Sequence, residues 1–242
     1  MPWFLNFRNS IMTIRDKSSS HYAINILLKI YKAKAYLLIV VGLIGIFASA
    51  YLYLNQPGPP KLTGKAKAIE LSSAPSSTKP TASTINSYSV PPNQPKFISI
   101  PAIGVDNAMV IRLGLLKNGS ITTPDNIYET GWYENSAAPG QMGAMFIFGH
   151  VSSWTADGVF YNLKRIVPGN LIKITRGDNK EFTYKVVALK IYPYTKVDMN
   201  QVLAPINKNL PGLNLMTCTG KVIPGTSEFN ERLVVFSQQV SS

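Results

Sequence analysis

Residues 35–54 read AYLLIVVGLIGIFASAYLYL, twenty residues without a single charge. As a helix, such a run is about 30 Å long, which matches the hydrocarbon core of a bilayer. Tyr36, Tyr51 and Tyr53 stand near its ends, where interfacial aromatics belong. Arg15, Lys17, Lys29, Lys32 and Lys34 lie just upstream. Positive flanks stay on the cytoplasmic side, so the expected arrangement is a cytoplasmic N-terminus, residues 1–34, and an extracytoplasmic remainder. A cleaved signal peptide is the alternative, with Ala48-Ser49-Ala50 as its cleavage site. The apolar run and the leader before it are both long for that role.

Charge follows the same division. The chain carries a formal +12, but residues 96–242 hold fourteen cations against ten anions. Most of the excess flanks the apolar run, and no basic stripe with interleaved aromatics is present. Nucleic acid is therefore not an expected partner.

Residues 55–95 are rich in Pro, Ser, Thr and Lys and lack apolar periodicity. Such a stretch is expected to be a tether, with a typical coil span of roughly 35 Å. From Lys96 the texture changes to short β-type runs: Phe97–Ile100, Ala108–Ile111, the continuous apolar run 143–148, Leu171–Thr175, Phe182–Ile191, Leu213–Thr217 and Leu233–Ser237. Turn signals separate them, among them Pro168-Gly169-Asn170, Gly177-Asp178-Asn179 and Pro211-Gly212. Phe160–Ile166 and Met199–Ile206 are expected as short helices, the second opening on Asp198 as N-cap. Many short strands with little helix predict a mostly β domain over 96–242, a barrel or sandwich. At roughly 150 residues it can bury a core unaided.

Disulfides do not staple this core, because the chain has one cysteine, Cys218. A free cysteine is often just a small buried hydrophobe. Cys218, however, ends an apolar strand at a loop, and an idle thiol outside the cell is an oxidation liability. His150 follows the apolar run directly, and Gly149 leaves room beside its ring. The only other histidine, His21, falls on the expected cytoplasmic side, so extracytoplasmic Cys–His chemistry has to use His150. Arg232 opens the last strand. If strands 213–218 and 232–237 pair antiparallel, Cys218 and Arg232 meet at one sheet edge despite the thirteen residues between them. A guanidinium there can stabilise a thiolate or an oxyanion, although Arg232 could equally be an edge residue paired with Glu228 or Glu231. Asp125, Asp157 and Asp198 could each orient His150, and spacing selects none of them. Trp132 reads as core, Trp154 as core or cleft wall. One cysteine and one exposed histidine do not make a structural zinc site, and no cofactor is called for.

These residues resemble the sortase family. The resemblance starts at Ile98-Ser99-Ile100-Pro101-Ala102-Ile103-Gly104-Val105 and continues through Gly149-His150, Leu213-Asn214-Leu215-Met216-Thr217-Cys218 and Glu231-Arg232-Leu233-Val234-Val235. Gly149-His150-Val151 followed by Asp157-Gly158-Val159-Phe160 is similar to the class E or F group. The resemblance implies an eight-stranded β-barrel behind a membrane anchor. It implies a cysteine transpeptidase that cleaves a Leu-Pro-x-Thr-Gly-like sorting signal between Thr and Gly. A thioacyl enzyme forms and passes the protein to an amine acceptor, a peptidoglycan precursor or a pilin lysine. By position, Cys218 would be the nucleophile, His150 the acid and base, and Arg232 the holder of substrate and oxyanion. Thr217 would help line the substrate site, and residues 193–212 are a candidate for setting specificity. A cysteine hydrolase of similar fold, or a tethered binding module with an inert thiol, are the other readings.

Overall fold

The computed structural model describes residues 29, 32, 34, 36, 38, 41–46, 51 and 74–240. The anchor expected over 35–54 therefore lies mostly outside the described residues. Those of its residues that are described are helical, with exposed side chains including Tyr36, Leu38, Ile44 and Tyr51. Among the described residues, no helix is long and apolar enough to cross a membrane.

Eight strands close into a barrel: β1 (Pro95–Ile100), β2 (Val105–Leu113), β3 (Thr130–Tyr133), β4 (Ala144–Gly149), β5 (Leu171–Arg176), β6 (Glu181–Pro193), β7 (Gly212–Val222) and β8 (Phe229–Gln239), in the order β1-β2-β3-β4-β7-β8-β6-β5. Closure leaves no strand edge unpaired. Most neighbours are antiparallel, but β2–β3 and β4–β7 are parallel. Strand β3 was not foreseen. It has four residues, one of them glycine, too few for alternation to register. Gly131 is needed there, because a Cβ would fall 2.0 Å from the Leu113 side chain.

Side chains divide with the two-residue period of a strand. Met145 and Ile147 of β4, Leu213 and Leu215 of β7, and Leu233 and Val235 of β8 join one buried cluster. The alternate residues Phe146 and Phe148, Met216 and Cys218, and Val234 and Phe236 join a second, with Met199 and Val202. Strand β4 is thus buried on both faces, which is why it reads as an unbroken apolar run rather than an alternating one.

The two expected helices shrink. Residues 160–166 hold only a 3-10 turn at Leu163–Arg165. In the other, α2 spans Met199–Val202, with Asp198 capping it by accepting from the N–H groups of Asn200 and Gln201. Pro205 disfavours helical backbone at Ala204 and stops it early. Asn214 secures the exit, donating to the carbonyls of Val202 and Ala204 at 2.7 and 2.8 Å.

Part of the stretch expected to be a free tether is ordered structure. Residues 74–94 carry a bridge at Ser76 and the helix α1 (Ala82–Ser87), capped by Thr81. Polar backbone bonding holds this segment, so its lack of apolar periodicity was no guide.

Candidate active site

Strand pairing assembles the site. Strands β7 and β8 run antiparallel as expected, and Cys218 stands directly opposite Arg232. Directly opposite residues of an antiparallel pair share a face, so both side chains project from the same side of the sheet. His150 arrives by a route that the sequence does not show. Strand β4 pairs parallel with β7, Phe148 beside Met216. Continuing that register two residues brings His150 level with Cys218. Thr217 Oγ1 locks the register by donating to the Gly149 carbonyl at 2.8 Å. Thr217 thus spends its hydroxyl between the two strands. Gly149 has no space for a side chain, since a Cβ would lie 2.5 Å from the buried Phe160 ring.

Cys218, His150 and Arg232 are 5%, 4% and 6% exposed. Cys218 and His150 line one cavity of about 450 Å³ together with Trp154, Val222, Glu228 and Phe229. Trp132 is core, its indole N–H donating to the Ala137 carbonyl at 3.1 Å. Trp154 is a cavity-wall residue and 81% exposed.

His150 Nε2 lies 2.8 Å from the Pro124 carbonyl oxygen. A carbonyl only accepts, so Nε2 carries the proton and Nδ1 is the acceptor of the neutral ring. The Phe148 ring meets the imidazole edge-on at 5.8 Å. Burial pushes the His150 pKa below 6.5, against the opposing pull of the Pro124 hydrogen bond and the Asp125 charge. Of the three aspartates, Asp125 is therefore the one that acts on His150, while Asp198 is committed to α2.

Burial likewise pushes the Cys218 thiol above 9.0; Arg232 draws it down and Glu228 pushes it further up. Near neutral pH the resting pair is a thiol and an uncharged imidazole. Arg232 donates to the carbonyls of Phe229 and Glu231 at 2.8 and 3.0 Å and forms an ion pair with Glu228 at 2.8 Å. Its guanidinium also lies 5.7 Å from the Tyr194 ring centroid. Glu228 was foreseen only as a possible neighbour. The Pro124 carbonyl was not foreseen at all, because a backbone acceptor has no side-chain signature. Tyr194 falls within 193–212.

Glu228 raises the thiol pKa, so removing its charge must lower it. Glu228→Gln is expected to speed alkylation of Cys218 at pH 7 roughly threefold, a charge effect of under about 1 kcal/mol, and to move the pH–rate curve for alkylation downward. An unchanged or slower rate would show that Glu228 does not act on the thiol.

The sortase-domain family model matches residues 98–240. The chain belongs to the sortase family. The match covers the whole barrel except the start of β1, including all four candidate site residues. Family membership supports a transpeptidase activity. Similar solved structures include the Clostridium perfringens sortase D5 transpeptidase, 26% identical, covering 60% of this chain and 78% of that one with a TM-score of 0.44. Sortase C2 of Group B Streptococcus pilus island 1 is 21% identical, covering 81% and 94%, at a TM-score of 0.48. Sortase A from Corynebacterium diphtheriae is 24% identical, covering 62% of each chain, at a TM-score of 0.45. No curated protein matches this sortase.

Proposed function

We propose that this sortase is a cysteine transpeptidase in which Cys218 attacks the Thr–Gly bond of a Leu-Pro-x-Thr-Gly-like sorting signal. The observation that carries the reading is the convergence of Cys218 and Arg232, paired within strands β7 and β8, with His150 just past the end of β4, the thiol and the imidazole opening on one cavity. Cys218 passes its proton to His150 as the sulfur adds to the Thr carbonyl, and Arg232 holds the developing oxyanion. As the C–N bond breaks, His150 gives a proton to the departing Gly amine, leaving a thioester on Cys218. An incoming amine returns its proton to His150 and attacks the thioester, and the thiol is released. To turn toward substrate, Arg232 loosens its ion pair with the partly exposed Glu228 and its bonds to the Phe229 and Glu231 carbonyls.

The acceptor is an amine of the cell surface, a peptidoglycan precursor or a pilin lysine. Residues 35–54 anchor the chain with the N-terminus cytoplasmic and the barrel outside. The run of uncharged residues and the exposed apolar side chains of its described helical positions support that placement.

The test is to incubate the full chain in detergent with a library of Leu-Pro-x-Thr-Gly-like peptides and an amine, and to follow enzyme and product masses. A Cys218 adduct and an amine-linked peptide are the expected result. An adduct released only to water would make the protein a hydrolase. No adduct with any peptide, and a thiol inert to alkylation, would leave a binding module.

A further inference from the structure

Residues 74–78 form a short strap docked beside the candidate active site. Ser76 pairs with Asn126 in a parallel bridge. The Ser76 N–H donates to the Asp125 carbonyl at 2.7 Å, and its own carbonyl accepts from the Ile127 N–H at 3.0 Å. Asn126 Nδ2 donates to the Thr78 carbonyl at 2.8 Å, and the Ser77 and Thr155 hydroxyls share a hydrogen bond of 3.2 Å. Further along the chain, Tyr88 donates to the Val110 carbonyl at 2.7 Å and lies against Phe97. The segment is thus held at both ends.

The strap grips two loops. One contains Pro124, whose carbonyl holds His150 Nε2, and Asp125, whose charge acts on the same ring. The other follows His150 and contains Thr155 and Trp154. At the near end of the strap, Ala74 and Pro75 line the cavity that Cys218 and His150 open onto. They line it without filling it. About 450 Å³ remains with the strap in place, within the roughly 300–1,000 Å³ of ordinary ligand pockets. Both lining residues are small and apolar.

We propose that residues 74–78 are a fixed wall of the peptide site. Ala74 and Pro75, with Trp154, Val222 and Phe229 in the same lining, face apolar side chains of the sorting peptide. The Ser76 bridge holds the loop that positions His150. The strap is a specificity-determining and positioning element, and the proposal rests on the sorting-peptide reading above. It also makes residues 96–242 alone an incomplete enzyme.

Ser76→Pro removes the N–H that the Asp125 carbonyl accepts, and one lost backbone hydrogen bond is worth up to about 1.5 kcal/mol, or roughly tenfold. In the full chain, Ser76→Pro is expected to raise KM for the preferred peptide about tenfold, with a smaller change in kcat. The Ile127 amide should exchange faster with solvent, and Cys218 should react faster with N-ethylmaleimide. Ser76→Ala keeps both backbone groups and should lose less. Asn126→Ala, which releases Thr78, should act in the same direction and serves if the proline variant misfolds. Increased turnover in Ser76→Pro would make the strap a cover and overturn the proposal. So would a freed Ile127 amide with unchanged kinetics and alkylation. If the unaltered chain processes no peptide, the function proposed above fails by itself. The wall then stands or falls on whether Ser76→Pro changes the alkylation rate.

Discussion

Cys218→Ala is expected to abolish both the enzyme–peptide adduct and the amine-linked product, a loss of more than roughly 10⁴-fold, in line with removal of the nucleophile from other covalent catalysts. No other thiol exists in the chain to replace it. The fold should survive. Cys218 is buried, but its loss removes a single sulfur from the cluster of Met216, Val234 and Phe148, at a cost of about 1 kcal/mol. Thermal unfolding measured beside product mass keeps the two effects apart. A variant that still forms the amine-linked product with an unchanged melting temperature would move the nucleophile elsewhere.

Arg232→Ala is expected to reduce kcat/KM for the sorting peptide roughly 100- to 1,000-fold, the usual loss when an oxyanion donor is removed. The same substitution withdraws the charge that draws the Cys218 thiol downward, so the pH–rate curve for alkylation should move upward. Glu228→Gln should move that curve the opposite way, and the pair of opposed shifts reads the charges around the thiol directly. Arg232→Ala also strands the carbonyls of Phe229 and Glu231. Arg232→Lys is therefore the companion variant: it keeps the charge near the thiol but loses the planar fork. If lysine restores full peptide turnover, bidentate geometry is not what Arg232 contributes. If alanine leaves turnover intact, Arg232 has no part in the reaction.

Much of this is legible in the sequence. Alternation and turn signals located seven of the eight strands. Strands β7 and β8 are joined by a short connection, and sequence-adjacent strands usually pair, so the meeting of Cys218 and Arg232 followed from counting residues. The glycine before His150 was expected to leave room beside the imidazole, and the group that needs the room proves to be the Phe160 ring. Other features were out of reach. Among Asp125, Asp157 and Asp198 no spacing could choose, because the choice depends on where three separate loops come to rest. The strap was read as loose chain, since backbone hydrogen bonds to residues 125–127 depend on no particular side-chain pattern.

By itself, the sequence determined the strand-rich domain, the uncharged run before it, and the residue types available for chemistry: one thiol, one imidazole on the expected outer side and an arginine in the last strand, although β8 begins at Phe229 and not at Arg232. These are local properties, set by side-chain period, turn residues and composition. Only the tertiary structure decided the parallel pairing of β4 with β7, which sets His150 level with Cys218 across 67 intervening residues. It alone decided that the Pro124 carbonyl holds the imidazole, that Glu228 occupies Arg232, and that Ala74 and Pro75 wall the cavity. Apart from the Glu228–Arg232 ion pair, which is a choice between two nearby carboxylates, each of these contacts runs through backbone groups or joins distant segments. Every residue except proline carries the same backbone donor and acceptor, so their pairing is chosen by the closure of the whole barrel.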